Sequence, residues 1–291
     1  MTLPRCILSD RTYLITRRCS ERRYFLRPDP KIVQIFEYLL GLACERHGIM
    51  LHGYVCMSNH YHLVVTDPHA VLPDFLQYFN SLLARAVNCA RGRWESLWSR
   101  DSYNAVDLLE RGDVLDKLVY TLANPVSAGL VGRARDWRGA CSMSLRFGGR
   151  RFVARPSLFF SERMPEEVSL ELRGPAALSG MGGHALHDEI ARRLGVIEAE
   201  CKALGRKPLG MRGVLALDWK GSPTTSAPRR GLSPRLAAKC TAVRVAAIMA
   251  FKRWVDDYRV AMARFVGGDR EVEWPRGTYW MCKRLGCPRA A

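Results

Sequence analysis

The sequence predicts an α+β protein that begins with a ferredoxin-like, split βαβ domain built on an antiparallel sheet. Three observations support this. The first part of the chain alternates in the order strand, helix, strand, strand, helix, strand, helix, which is the split βαβ pattern with one added helix. The chain has 291 residues and is 48% apolar, which is enough to bury sizeable cores. The last part is helical in pattern and strongly basic. We therefore expect three regions: the sheet domain at 1–138, an irregular and partly helical connection at 139–228, and a basic helical region at 229–291.

Each element of the first region has its own signal. Residues 12–16 alternate as a strand, and residues 30–47 place apolar side chains at helical spacing. Strands at 50–57 and 60–66 are joined across Ser58-Asn59, where asparagine tolerates the positive φ that such turns need. Pro73 opens a second helix, and a strand is expected near 103–107.

Later elements are less regular. Apolar residues at helical spacing predict a helix around 184–204. Ser233 and Pro234 fit the N-cap and first position of a long amphipathic helix that runs to Gly267-Gly268. Its polar faces carry Lys252 and Arg253, which we predict to lie along a phosphate backbone; a solvated face on a helix packed against the first domain fits equally well.

The charge of the chain favours a polyanionic partner. The net charge is +17, and residues 229–291 contain 14 basic and 5 acidic residues. Nucleic acid is the commonest partner of such a surface. Arg17 and Arg18, which follow the first strand, are further predicted DNA contacts. The ten cysteines show no Cys-X-X-Cys pair, and no segment has the length or apolarity of a signal peptide or membrane span. We expect free thiols and a cytoplasmic, nucleoid-associated protein without a membrane partner.

The segment His60-Tyr61-His62 is the most informative in the chain. Side chains alternate along a strand, so His60 and His62 project to one face while Tyr61 points to the other. A pair of imidazoles on one face suits a divalent ion with open coordination positions, which can polarise a phosphoryl oxygen. A half-buried polar strand face is the competing interpretation.

A second candidate group lies on a predicted helix at 115–124, which the following proline should close. Its apolar stripe excludes Tyr120, which shares a face with Lys117 and Asn124. Asn124 could supply a third metal ligand and so bring the Tyr120 hydroxyl next to the ion. Alternatively, Tyr120 is an ordinary interfacial tyrosine and Asn124 only ends the helix.

Together, Ser58-Asn59-His60-Tyr61-His62 and the run from Tyr120 to Val131 resemble the REP-associated tyrosine transposases, a branch of the single-tyrosine HUH transposases. The resemblance covers residues 10–140 best. It implies that His60, His62 and Asn124 hold Mg or Mn and that Tyr120 attacks a DNA phosphate. A phenol is a weak nucleophile unless its developing charge is stabilised, and Lys117, three residues earlier, is a candidate for that role.

The resemblance implies a DNA nicking and joining enzyme that acts on single strands or hairpins through a 5′-phosphotyrosine link. A non-enzymatic regulator that binds DNA or RNA hairpins is the alternative from another class. An initiator of replication or plasmid transfer is less favoured, because no helicase or primase segment is evident. With a single tyrosine, full strand exchange needs two subunits or two successive reactions, so both a monomer and a homodimer remain possible.

Overall fold

The computed structural model describes residues 4–100, 103–205, 207–224 and 234–288. Within these ranges, the main sheet has five strands in the order β2, β3, β1, β4, β7. Their bounds are β1 Arg11–Arg18, β2 Met50–Cys56, β3 His60–Asp67, β4 Asn104–Leu108 and β7 Leu236–Ala237. The first four strands pair antiparallel, with β1 between β3 and β4, as the ferredoxin-like prediction requires. The predicted α+β fold class is confirmed.

Helices cover both faces of this sheet. Helices α1 (Pro30–His47) and α2 (Leu72–Arg91) pack on one face, and α3 (Arg111–Ser127) packs on the other. The first face buries the alternate residues Ile15, Tyr61 and Leu63, and the second buries Leu14 and Val64. This alternation follows from the pleat of a strand, and it leaves each sheet face with its own apolar core.

The middle of the chain packs into the same two cores. A hairpin of β5 (Arg150–Ala154) and β6 (Glu167–Glu171), which the weak periodicity of this region did not predict, lies on α1. Helix α4 (Gly183–Ala203), close to its predicted bounds, packs on α3, and the short α5 (Gly210–Ala216) follows. The predicted boundary at residue 138 therefore falls between segments that share cores.

Later segments also occupy both edges of the main sheet. β7 pairs in parallel with β4, through Asp107 with Leu236 and Leu108 with Ala237. At the opposite edge, Val55 of β2 bridges to Cys141, and the Cys56 amide donates to the Ala140 carbonyl at 2.8 Å. The sheet is thus bounded on each side by chain that comes much later in the sequence.

Two predicted helix boundaries are wrong. Helix α3 continues through Pro125 to Ser127, because burial of Pro125 and Val126 in the core favours one further turn despite the lost amide donor. The long helix α6 spans Thr241–Val266 and begins later than predicted, because residues 236–237 pair with the β4 edge instead. The predicted N-cap Ser233 lies outside the described residues.

Three further observations bear on the sequence predictions. Asn59 is not among the non-glycine residues with positive φ, so the hairpin turn needs no left-handed asparagine. All ten cysteines lie within the described ranges and are free thiols. None of the described helices combines the length and apolarity needed to cross a membrane.

Candidate functional site

The two histidines of β3 lie side by side on the face covered by α3. Their ring centroids are 4.9 Å apart and the ring planes are nearly perpendicular, at 84°. Strand pairing sets Thr16 opposite His62 and Arg18 opposite His60, so these two β1 residues share the same face. The Tyr61 side chain is buried on the other face. The predicted alternation across this strand is confirmed.

A neighbouring amide orients His60. The side-chain Nδ2 of Asn59 donates to the Arg22 carbonyl at 3.0 Å, which leaves Asn59 Oδ1 facing His60 Nδ1 at 2.7 Å. An amide oxygen can only accept a hydrogen bond, so Nδ1 must carry the proton. The lone pair of His60 is therefore on Nε2, which is the tautomer a metal ligand of this kind uses.

His62 is oriented by Thr16. Its Nδ1 lies 2.8 Å from the Thr16 hydroxyl. Its Nε2 is buried and has no hydrogen-bond partner among the residues that the structure describes. A buried polar nitrogen without a hydrogen-bond partner costs free energy, and coordination of a metal ion would offset that cost.

Both imidazoles are held neutral. Burial lowers the pKa of His60 to about 4, and the nearby Arg18 guanidinium adds to this lowering. Burial likewise holds the pKa of His62 well below its usual value, with further contributions from His60, Arg18 and Lys117. Neutral imidazole is the form that binds a metal, so both side chains are ready ligands at neutral pH.

Helix α3 brings the predicted nucleophile to this pair. The Tyr120 ring centroid lies 5.2 Å from that of His62, and the side chain is 45% exposed, so a substrate can reach its hydroxyl. Asn124, one turn later, is buried and lies close enough to the His60 imidazole to raise its pKa against the effect of burial. Lys117 Nζ lies 5.4 Å from the centre of the Tyr120 ring. All five residues predicted from sequence to form the reactive group therefore meet in one place.

The residues present fit a divalent metal. Two neutral imidazoles and a carboxamide oxygen are a set of ligands suited to such an ion. The Nε2 of His62, which has no hydrogen-bond partner among the described residues, is available to coordinate it. Within the described ranges, no group of three or more His, Cys, Asp or Glu side chains could hold a metal. Because two imidazoles and a carboxamide carry no charge, His60, His62 and Asn124 would supply a neutral set of ligands at this site.

The predicted DNA-binding residues do not all lie with this group. Arg18 is exposed on the histidine face, next to His60. Arg17 lies on the opposite face, where its guanidinium is 5.7 Å from the centre of the Trp98 ring. Lys252 and Arg253 are exposed on α6, a helix that faces α2 across a groove. Of the four predicted DNA-binding residues, Arg18 is the one that lies next to the histidines.

The sequence prediction missed two supporting residues, Thr16 and Asn59. Asn59 could have been found, because it immediately precedes His60 and commonly hydrogen-bonds locally. Thr16 could not, because its role depends on the register that sets it opposite His62.

Comparisons with known proteins give partial structural likenesses. No family model matches the chain, and no curated protein matches it. One similar solved structure is a REP-associated tyrosine transposase bound to a REP hairpin, at 15% identity and a TM-score of 0.42, covering 49% of this chain and 82% of that one. Another is a candidate transposase from Deinococcus radiodurans R1, at 19% identity and a TM-score of 0.30, covering 40% of this chain and 93% of that one. Since both TM-scores are below 0.5, the chemistry is argued from this chain's own residues.

Proposed function

We propose that this chain is a metal-dependent transposase that cuts and rejoins single-stranded or hairpin DNA through a covalent bond to Tyr120. The observation that carries the proposal is the placement of an exposed tyrosine ring 5.2 Å from the ring of His62, whose Nε2 is buried and unpartnered among the described residues. A tyrosine nucleophile beside a nitrogen that can coordinate a metal ion is the arrangement expected for attack on a charged phosphate.

The proposed step is a transesterification at phosphorus. The Tyr120 phenolic oxygen attacks, a phosphorus–oxygen bond to the phenol forms, and the bond to the 3′ oxygen breaks. The phenolic proton is lost to water and the leaving 3′ oxygen gains one, so the products are a 5′-phosphotyrosine and a free 3′ hydroxyl. One ester replaces another, and attack by a 3′ hydroxyl in the reverse sense joins a strand without ATP.

The neighbouring residues have distinct parts in this proposal. His60, His62 and Asn124 would hold Mg or Mn, which would polarise the scissile phosphate and offset its charge. Lys117, which lies beside the Tyr120 ring, would stabilise the phenolate as it forms. Arg18, exposed next to His60, would bind a flanking phosphate.

The test is formation of a covalent protein–DNA product. The full chain is incubated with Mn and single-stranded oligonucleotides that contain hairpins, taken from the DNA that flanks its gene. A band of raised mass that survives denaturing electrophoresis, and is lost in Tyr120→Phe, is the expected result. Tyr78→Phe is the matched control, because Tyr78 lies on α2 and packs with His47 and Arg46.

Two outcomes would contradict the proposal. An adduct that persists in Tyr120→Phe would assign the nucleophile to another residue. A shifted band in native gels with no adduct under any divalent metal would favour the alternative of a hairpin-binding regulator.

A further inference from the structure

A large groove lies on the face of the sheet opposite the histidines. Its volume is about 1290 Å³, which exceeds the roughly 300 to 1,000 Å³ of pockets that hold small molecules. One wall is α2, and the other is formed by α6 and the segment from Thr278 to Trp280. A groove of this size fits an extended ligand better than a small one.

The charge along the groove favours an anionic ligand. Three arginines line it, Arg5, Arg17 and Arg259, of which Arg259 also forms an exposed ion pair with Asp256 at 3.1 Å. Among the lining residues that the structure describes, Asp74 is the one carboxylate, and it is paired with the Lys283 ammonium. The described lining therefore carries more positive than negative charge, which favours a polyanion as the ligand.

The aromatic lining favours bases that are not paired. Trp98, Tyr103 and Trp280 all contribute to the lining, but Trp98 is buried and the Arg5 guanidinium lies 3.8 Å from the centre of the Tyr103 ring. Of these three rings, Trp280 is the one open to a ligand, with 57% of the residue exposed. The surface of a duplex is phosphate and sugar and would gain little from the exposed Trp280 ring, whereas each unpaired base has a face that can stack on it. Arginine and aromatic side chains in one groove are the combination that single strands use.

The groove is also well placed relative to the candidate site. Thr16 and Arg17 are consecutive residues at the end of β1, and they point to opposite faces of the sheet. Thr16 contacts His62, while Arg17 lines the groove. A strand that passes around this end of the sheet would connect the two surfaces.

We infer that this groove binds single-stranded DNA next to the segment that is cut, with Trp280 stacking on a base and Arg259 contacting a phosphate. The position of this segment relative to the cut rests on the proposed function; binding of single-stranded DNA to the groove does not. The inference gives the region beyond residue 228 a part in holding substrate.

The experiment measures binding by the full chain carrying Tyr120→Phe, so that no covalent product can form. Fluorescein-labelled oligo-dT of 20 nucleotides is compared with an abasic strand of equal length, a blunt duplex and oligo-rU. Oligo-dT should bind most tightly. Trp280→Ala should weaken oligo-dT binding about tenfold and leave binding of the abasic strand unchanged, whereas Arg259→Ala should weaken both.

Matched controls are Phe152→Ala and Arg212→Ala, which remove an exposed aromatic side chain and an exposed arginine that do not line the groove. Both should leave affinity unchanged. Unaltered oligo-dT affinity in Trp280→Ala and Arg259→Ala, equal binding of the abasic strand, or a preference for duplex or RNA would overturn the inference. The covalent assay with intact Tyr120 is scored separately, so loss of adduct with retained groove binding would contradict the proposed function alone.

Discussion

The hydroxyl of Thr16 lies 2.8 Å from Nδ1 of His62 and joins β1 to β3 beneath the candidate metal ligands. A hydrogen bond to the ring nitrogen that does not bind the metal sets the orientation and basicity of a ligating imidazole. We expect Thr16→Val to weaken Mn binding about 10-fold to 100-fold, with recovery in Thr16→Ser. Titration of Mn by calorimetry or electron paramagnetic resonance measures this affinity directly.

Thr12→Val is the control for this prediction, because the Thr12 hydroxyl hydrogen-bonds to that of Thr66 on the same pair of strands, away from the site. Equal Mn affinity in Thr16→Val and the parent would count against His62 as a ligand.

Lys117 lies one helical turn before Tyr120, with its ammonium 5.4 Å from the ring centre. If it stabilises the phenolate, Lys117→Met should slow single-turnover cleavage by on the order of 10-fold to 100-fold and leave DNA affinity nearly unchanged. The control is Lys202→Met, which removes an exposed lysine on α4. A cleavage rate equal to that of the parent chain would remove Lys117 from the mechanism.

His52 gives stability a dependence on pH. Its Nδ1 donates to the Arg173 carbonyl at 2.7 Å, and its Nε2 lies 2.7 Å from the Thr66 hydroxyl. Burial lowers the pKa of His52 to about 4, whereas an unfolded histidine titrates near 6.5. The unfolded chain therefore binds a proton that the folded chain excludes. The stability present above about pH 6.5 is lost as pH falls towards about 4.

We expect His52→Gln to reduce the slope of unfolding free energy against pH by up to about 1.4 kcal/mol per pH unit in this range. Denaturant titrations between pH 5 and 7 supply the slopes. His184→Gln, at an exposed position on α4, should leave the slope as it is. Equal slopes of unfolding free energy against pH for His52→Gln and the parent would show that His52 does not contribute to the pH dependence of stability.

Arg151 links the β5–β6 hairpin to α1. Its guanidinium pairs with buried Glu37 and lies 3.2 Å from the Tyr54 hydroxyl, which itself donates to Glu37 at 2.8 Å. Arg151→Ala leaves a buried carboxylate without its cation, so we expect a loss of about 2 to 3 kcal/mol in the free energy of unfolding.

The neighbouring Arg150 provides the matched comparison for this prediction. Its pair with Glu171 spans 3.7 Å at an exposed position, so Arg150→Ala should cost less than about 1 kcal/mol. Chemical denaturation of the two variants measures both values. Similar losses in the two variants would mean that the Glu37 contact contributes little.

A chain truncated after residue 138 should not fold to a stable domain. Truncation would uncover α1 and α3, because Val168 and Leu170 pack in the first core and Ile190 and Leu194 in the second. We expect a broad, non-cooperative thermal transition and dye binding to exposed apolar surface. A sharp unfolding transition in the truncated chain would instead support the boundary expected from the sequence.

Local patterns predicted most of the first region. The alternation at 60–62 places His60 and His62 on one face, and the spacing from Lys117 to Asn124 places the reactive side chains on one face of α3. These features depend on strand and helix periods alone. The proximity of Tyr120 to the histidines was expected from the resemblance, because the strand and helix periods alone do not set α3 over that face.

Other features depend on contacts between distant segments. The pairing of Leu236 with Asp107 turns an expected helix start into a strand, and nothing near residue 236 signals it. Pro125 stays inside α3 because the core beneath it is apolar. The role of Thr16 likewise arises from strand register, and the arginine-lined groove from the placement of α6 opposite α2, and no short window of sequence contains either.

Occupied sheet edges restrict how two copies of this protein could associate. Chain from 236–237 takes up main-chain groups of β4, and chain from 140–141 does so along β2. A second molecule that approached either border would have to displace a neighbour already hydrogen-bonded there. Any dimer that exchanges DNA strands should therefore not extend the main sheet from one molecule into the next, and Leu236→Pro should leave its formation unchanged only if that sheet takes no part in it.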